Sequence, residues 1–246
     1  VIKVFACFYN EAALIPFFLA HYHYADAIHA IVSPSIDDTR ARLAADPRVT
    51  IDDREMPDGI DDDLKVGWLN AALAVPDRAH AWHLVVDADE FLWPPGDPGA
   101  ATVRAYLASV PASDIALRAH LVDVFRHAED TDLDATAAPV VLQRRHGSAR
   151  TDNEKPIVLR ANRGIRLTPG NHDFIGGARL SQTHQFEGAH WQNADPSFAV
   201  TRRVRDRKER MSAVNVQKGH GWHHWAPTAD DVRRELESHR HDVQRF

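Results

Sequence analysis

The chain has one cysteine, Cys7, two methionines and four tyrosines among 246 residues. A single cysteine excludes an internal disulfide framework and is compatible with a reducing compartment. No apolar run approaches the roughly 18 residues that a membrane-crossing helix needs. A large excess of one charge is also missing: the net charge of -6 points to no particular class of partner. Neither an internal repeat nor a long low-complexity linker is present, which excludes a solenoid or an array. The start, VIKVFACFYNEAAL, lacks a basic flank followed by a signal-like apolar run and reads as the first strand of a fold. It has no initiating methionine, as a trimmed fragment would not. What is there suits one α/β domain, or a domain with a small appendage. The hydrophobic share of 44% is enough for a core. Sixteen histidines are the unusual count, and they are scattered.

Apolar periodicity predicts strands at Ile2 to Phe8, Asp26 to Ser33, Val49 to Ile51 and Trp82 to Val86, alternating with helices at Ala12 to Tyr24, Thr39 to Ala45 and Leu64 to Ala74. Seven acids between Asp52 and Asp63 read as a solvated loop entering a helix N-terminus, where acids are favoured. Further on come a helix at Thr102 to Val110, a strand at Asp114 to Leu121, short strands at Ile157 to Arg160 and Gly164 to Leu167, a tight turn over Phe174 to Leu180, a strand at Gln185 to Trp191, and helices over Ser197 to Met211 and Asp230 to Arg245. Strands alternating with helices predict a doubly wound α/β sheet. Ligands of such sheets bind beyond the carboxyl ends of the strands. That rule puts Tyr9, Asn10 and Glu11 next to Asp87, Asp89 and Glu90.

The most informative stretch is HLVVDADEFLWPP, residues 83–95. In an extended segment Asp87 and Asp89 face one side and Glu90 the other. Two carboxylates so close repel each other unless a cation bridges them. One or two carboxylates plus substrate phosphates is the usual setting for Mg²⁺, and Mn²⁺ accepts similar ligands. The bland alternative is an acidic turn whose aspartates cap the next element.

In order along the chain, several pieces resemble a glycosyltransferase of the GT-A type, in the family-2-like branch with a DxDEF metal motif. They are Asn10-Glu11 with Pro16 to Tyr24 and His21 or His23, Ser35-Ile36-Asp37-Asp38-Thr39, Val85 to Leu92, Lys155-Pro156, Gly170-Asn171-His172, and Gly188-Ala189-His190-Trp191. The first helix departs from that pattern with Phe17-Phe18 where an aromatic-acid pair stands, and Trp191 replaces a tyrosine. The resemblance implies a Rossmann-like, mixed and mostly parallel sheet flanked by helices. It implies a GT-A-like domain over residues 1–215, with 216–246 as a flap and helix of the same unit. It further implies transfer of a sugar from a nucleoside diphosphate sugar to a saccharide or other hydroxyl acceptor, with Mn²⁺ or Mg²⁺ held by Asp87 and Asp89. His172 is the candidate to complete the metal shell. Glu90 and Asp173 are candidate acid-base groups, with Asp123 as a further option. Asn10, Glu11, Asp37, Asp38 and Lys155 are candidate donor contacts, though the first four are equally at home as helix caps. His190 and Trp191 suit an aromatic wall for a sugar, or Trp191 a core position.

The string Arg202 to Arg210 has six bases and two acids. It reads first as a solvated helix face, and otherwise as a surface for anionic lipid or donor phosphates. The overall charge does not support nucleic-acid binding. Lys218 to Trp225 reads as a flap over the acceptor. A cytoplasmic location, including peripheral contact with the inner face of a membrane, is the expectation. Two other function classes stay open: a sugar-nucleotide or glycan-binding domain that has lost turnover, and a metallohydrolase, for which the close HxH or HExxH spacing is missing.

Overall fold

The computed structural model describes residues 1–175, 179–220, 228–240 and 244–245. Four parallel strands lead the sheet: β1 (Ile2–Phe8), β2 (Ala27–Val32), β3 (Val49–Asp53) and β4 (Trp82–Asp87). β1, β2 and β4 are buried on both faces or nearly so, which is why they read as apolar runs rather than alternating ones, while β3, at the sheet edge, is only partly buried. β5 (Glu90–Trp93), β6 (Ala116–Phe125), β7 (His146–Arg160) and β10 (Phe186–Asn193) complete the main path, and β8 (Arg166–Leu167) with β9 (Phe174–Ile175) forms a separate two-stranded ribbon. The order is β3-β2-β1-β4-β7-β6-β10-β5, with β11 (Gln244–Arg245) paired to β7. β7 runs antiparallel to both β4 and β6, and β6 is parallel to β10. So β1, β2, β3, β4, β6 and β10 all end on the same edge.

Helices α1 (Ile15–His21), α2 (Thr39–Ala44), α3 (Asp62–Ala74) and α4 (Val103–Ser109) flank the sheet, giving the expected mixed α/β architecture. The acidic run before α3 does what its position predicts. Asp61 caps the helix by accepting from Leu64 N at 3.0 Å, and Asp62 and Asp63 occupy the first turn. Two expectations change. β7 is 15 residues long, whereas only Ile157 to Arg160 carries an apolar signal; the rest follows its pairing with β6. The Asp87–Glu90 segment is a tight turn between β4 and β5, not an extended stretch. The tight turn foreseen over Phe174 to Leu180 and the flap over Lys218 to Trp225 fall partly outside the described residues.

Trp191 is wholly buried and packs on Phe17 and Phe91, so it is core and not a sugar wall. Gly188 explains why β5 can lie so close on β10: a Cβ there would come within 2.6 Å of Leu121 and 2.8 Å of Leu92. α5 (Pro196–Val200) continues as a π-helical turn, Thr201–Arg207. α6 (Ala213–Lys218) follows, and α7 (Ala229–Ser238) packs Val232 and Leu236 on Phe125 and Ala199. Among the described residues no helix is long and apolar enough to cross a membrane.

His21 is buried, with Nε2 2.9 Å from the Leu92 carbonyl. Burial disfavours the imidazolium and pushes its pKa down to about 4. A histidine lowered on folding contributes stability that is full above its unfolded pKa and is lost as pH falls through the folded value. We therefore expect urea stability to fall by about 2–3 kcal/mol between pH 6.5 and 4 through this residue. His21→Gln should lose less than the parent over that window, and an equal loss would show that other groups govern it.

Candidate functional site

β1 has β2 on one side and β4 on the other, so the strand order reverses direction between β1 and β4. Crevices at such switch points are where doubly wound sheets bind ligands. A cleft of about 740 Å³, counted to its open mouth, lies there. Its lining includes Cys7, Ser33 and Asp87 at the strand ends, Lys65 and Trp68 of α3, and Arg202, Arg207 and Arg210. Cys7 stands beside Asp87 in the sheet, and burial pushes its thiol up to about 12. A thiol held that high stays protonated, which disfavours a nucleophilic role.

The turn divides its three acids in a way the extended reading did not foresee. Glu90, not Asp89, shares the Asp87 side. Glu90 Oε2 accepts from Asp87 N at 3.0 Å, and Oε1 accepts from Lys155 Nζ at 2.5 Å. Lys155 also reaches Asp87 at 3.5 Å, and Lys65 Nζ donates to Asp87 Oδ1 at 2.5 Å. Burial would raise the Asp87 carboxyl, but Lys65 and then Lys155 hold it well below the usual carboxylate range. Glu90 is 1% exposed with both oxygens engaged. It therefore positions the turn, where an acid-base role had been expected. Lys155 likewise is buried between two carboxylates and not exposed on a loop.

Asp89 turns the other way and is fully buried. Its Oδ2 accepts from Arg202 Nη1 and lies 3.1 Å from His190 Nε2, while Oδ1 has no hydrogen-bond partner. Arg202 also grips Glu11, with Nη2 2.9 Å from Oε1. His190 Nδ1 lies 2.7 Å from Asp123 Oδ1. Glu11, Arg202, Asp89, His190 and Asp123 thus form one chain of alternating charge along the carboxyl edge. Burial alone would lower the His190 imidazole, but Asp89 and Asp123 carry it up to about 10. Glu11 goes the opposite way for a carboxylate. Burial outweighs Arg202 and lifts it to about 7.

Five other candidates lie on loops. Asn10, at φ 52°, accepts from Ile36 N at 2.9 Å and donates to Asp206 at 2.9 Å. Asp37 accepts from Ala12 N and Thr39 N, which ties the loop after β2 to the one after β1. Asp38 is at the N-cap position of α2, exposed and without a side-chain cap bond. His172 and Asp173 lie in the turn before β9, which packs on α3; Asp173 Oδ1 accepts from Phe174 N at 2.8 Å. Neither is among the described residues lining the cleft. His190, and not His172, is the imidazole beside an acid of the turn. Among the described residues no group of three or more His, Cys, Asp or Glu side chains is arranged to hold a metal ion.

Lys65 and Arg202 went unrecognised in the sequence. Lys65 had a faint signal, as a single base in a helix that begins with three acids. Arg202 lay inside a string that reads as a solvated face, yet Arg202, Arg203 and Asp206 are all buried. The π-helical turn packs that face onto the strand ends, and π-turns recur at functional sites.

No family model matches the chain. No curated protein matches its sequence. Among solved structures it is similar to a mycobacterial protein at 18% identity and TM-score 0.35, over 50% of this chain and 41% of that one. A second is 4-diphosphocytidyl-2C-methyl-D-erythritol synthase, at 14% identity and TM-score 0.34, over 65% of this chain and 72% of that one. A third is HddC from Yersinia pseudotuberculosis, at 9% identity and TM-score 0.34, over 65% and 74%. This chain therefore spans less than half the length of the mycobacterial protein. Function has to be argued from the site.

Proposed function

We propose that the chain transfers a sugar from a nucleoside diphosphate sugar to an acceptor hydroxyl, at the cleft beyond β1 and β4, with Mn²⁺ or Mg²⁺. The observation that carries this reading is the position of Asp87: a carboxylate at a switch-point cleft whose lining also includes Lys65, Arg202, Arg207 and Arg210. Basic side chains in the lining suit a diphosphate, and the apolar surface of Phe8, Ile31, Met56, Ile60 and Trp68 suits a base or sugar face.

The donor set fits a divalent ion in two respects. Asp87 presents a partly exposed carboxylate to the cleft, and Asp89 Oδ1 behind it is a buried carboxylate oxygen without a partner; carboxylate oxygens suit Mg²⁺ and Mn²⁺. Asp87, at the cleft, would hold the ion together with the donor's phosphates, as one carboxylate plus phosphates commonly does for Mg²⁺; His190, with both ring nitrogens against carboxylates, stays in the charge chain behind it. Such an ion would neutralise the charge that grows on the diphosphate as its bond to the sugar breaks. The chain's own residues have separate work. Lys65 and Lys155 fix Asp87, Glu90 fixes the turn, and Arg202 joins the loop after β1 to Asp89. Ordering those groups in advance lowers the cost of binding a charged donor.

Calorimetric titration with uridine and guanosine diphosphates should show one of them binding in Mn²⁺ or Mg²⁺ and at least tenfold more weakly in EDTA. Equal affinity in EDTA would remove the ion from the reading. Absence of binding by any nucleotide of a wider panel would remove the donor. Product formation from a panel of sugar nucleotides separates a transferase from a binding domain.

A further inference from the structure

A second cleft opens at the ends of the other parallel pair, β6 and β10, on the same edge of the sheet as the first. It measures about 880 Å³ to its open mouth, and its lining includes Arg126, Asn193, Arg233, Leu236, Glu237 and Arg240. Three guanidiniums against one carboxylate make this lining positive. Arg233 and Arg240 are paired with acids at the surface, and Arg126 holds one surface acid and, at 3.7 Å, the less exposed Asp195. Arg126 meets Asp132 at 2.8 Å, Arg233 meets Asp230 at 2.7 Å, and Arg240 meets Glu237 at 3.2 Å. In these pairs the acids are 93%, 76% and 65% exposed. Pairs of that kind contribute about 0–1 kcal/mol each, so the guanidiniums can turn to a better anion at little cost.

A second observation is independent of charge. Asn193 is 6% exposed and lines the cleft, and its Oδ1 has no hydrogen-bond partner. A buried amide oxygen without a partner is destabilising unless a donor reaches it. Asn193 ends β10 and shares the lining with α7 residues, so a ligand hydroxyl that reaches this oxygen from the cleft would satisfy it. Leu236 supplies apolar surface of the kind that packs on the C–H face of a sugar ring. The lining thus asks for an anionic group and a hydroxyl on one small molecule.

We infer that this cleft is a binding site for a hydroxylated anion, a sugar carrying a carboxylate or a phosphate, distinct from the cleft beyond β1 and β4. The anion meets Arg126, Arg233 and Arg240, and a hydroxyl donates to Asn193 Oδ1. The inference stands apart from the proposed transfer reaction, because none of these residues lines the first cleft.

The test is titration of the protein with glucuronate, glucose 6-phosphate, glucose and inorganic phosphate, at low and at 0.5 M salt. Glucuronate or glucose 6-phosphate should bind at least tenfold more tightly than glucose and than inorganic phosphate, and the better of the two identifies the anion. Binding should weaken in 0.5 M salt, fall at least tenfold in Arg233→Ala/Arg240→Ala, and persist in saturating uridine diphosphate. Both arginines are exposed, so that variant should melt like the parent. Asn193→Leu should bring the sugar anion down to the level of inorganic phosphate. Equal binding by parent and double variant, glucose binding as well as the anions, or competition by the nucleotide would each overturn the inference.

Discussion

Arg202→Met should lower the melting temperature by about 6–12 °C. The guanidinium joins two buried carboxylates, Glu11 and Asp89, that come from loops far apart in the chain. Removing one partner of a buried ion pair costs about 3–5 kcal/mol, because the charge left behind has no water around it. Two features keep the loss near the lower figure. Glu11 already titrates near 7, so it can take up a proton and become neutral. Asp89 retains His190 at 3.1 Å. A loss of about 3 kcal/mol corresponds to about 2–4 °C per kcal/mol in a chain of this size. Arg202→Lys should recover only part of it, since an ammonium cannot serve both acids with a planar fork. Thermal unfolding by circular dichroism decides. An unchanged midpoint in Arg202→Met would mean that the charge chain along the carboxyl edge does not hold the loops together.

The two aspartates of the turn should respond in opposite ways. Asp87 faces the cleft with 18% of its side chain exposed, while Asp89 is wholly enclosed. Asp87→Asn should cost little stability, because Lys65 is partly hydrated and Lys155 keeps Glu90. It should nevertheless weaken ion-assisted nucleotide binding about 100-fold, within the range for truncating one charge of a buried pair. Asp89→Asn should weaken binding and also destabilise the fold, by about 3 kcal/mol, since Arg202 and His190 would then face a neutral amide. Read from the sequence alone, Asp89→Asn would lose ion-assisted binding with a nearly unchanged melting temperature. Paired calorimetry and melting distinguish the accounts. If Asp87→Asn binds nucleotide normally, the cleft is not the donor site. If Asp89→Asn melts like the parent, its burial between two cations is not what holds the turn.

The order of strands and helices through the first half of the chain was legible because parallel strands buried on both faces leave apolar runs and helices leave caps. Ile2 to Phe8, Trp82 to Asp87 and the acidic entry to α3 are of that kind. The long β7 was not legible, since most of it is polar and its conformation comes from pairing with β6.

By itself the sequence determined where the acids sit, at the end of an apolar strand of an α/β sheet. Only the tertiary structure decided which of them share a cation. A turn that tightens by one residue moves Glu90 onto the Asp87 side and sends Asp89 into the interior, and side-chain alternation holds only while the backbone stays extended. The partners of those acids, Lys65 on α3 and Arg202 and His190 from beyond residue 189, are separated from the turn by tens of residues or more. Contacts over such distances leave no periodicity to read. They arise from the direction in which β1, β4 and β10 all end, which is a property of the folded sheet.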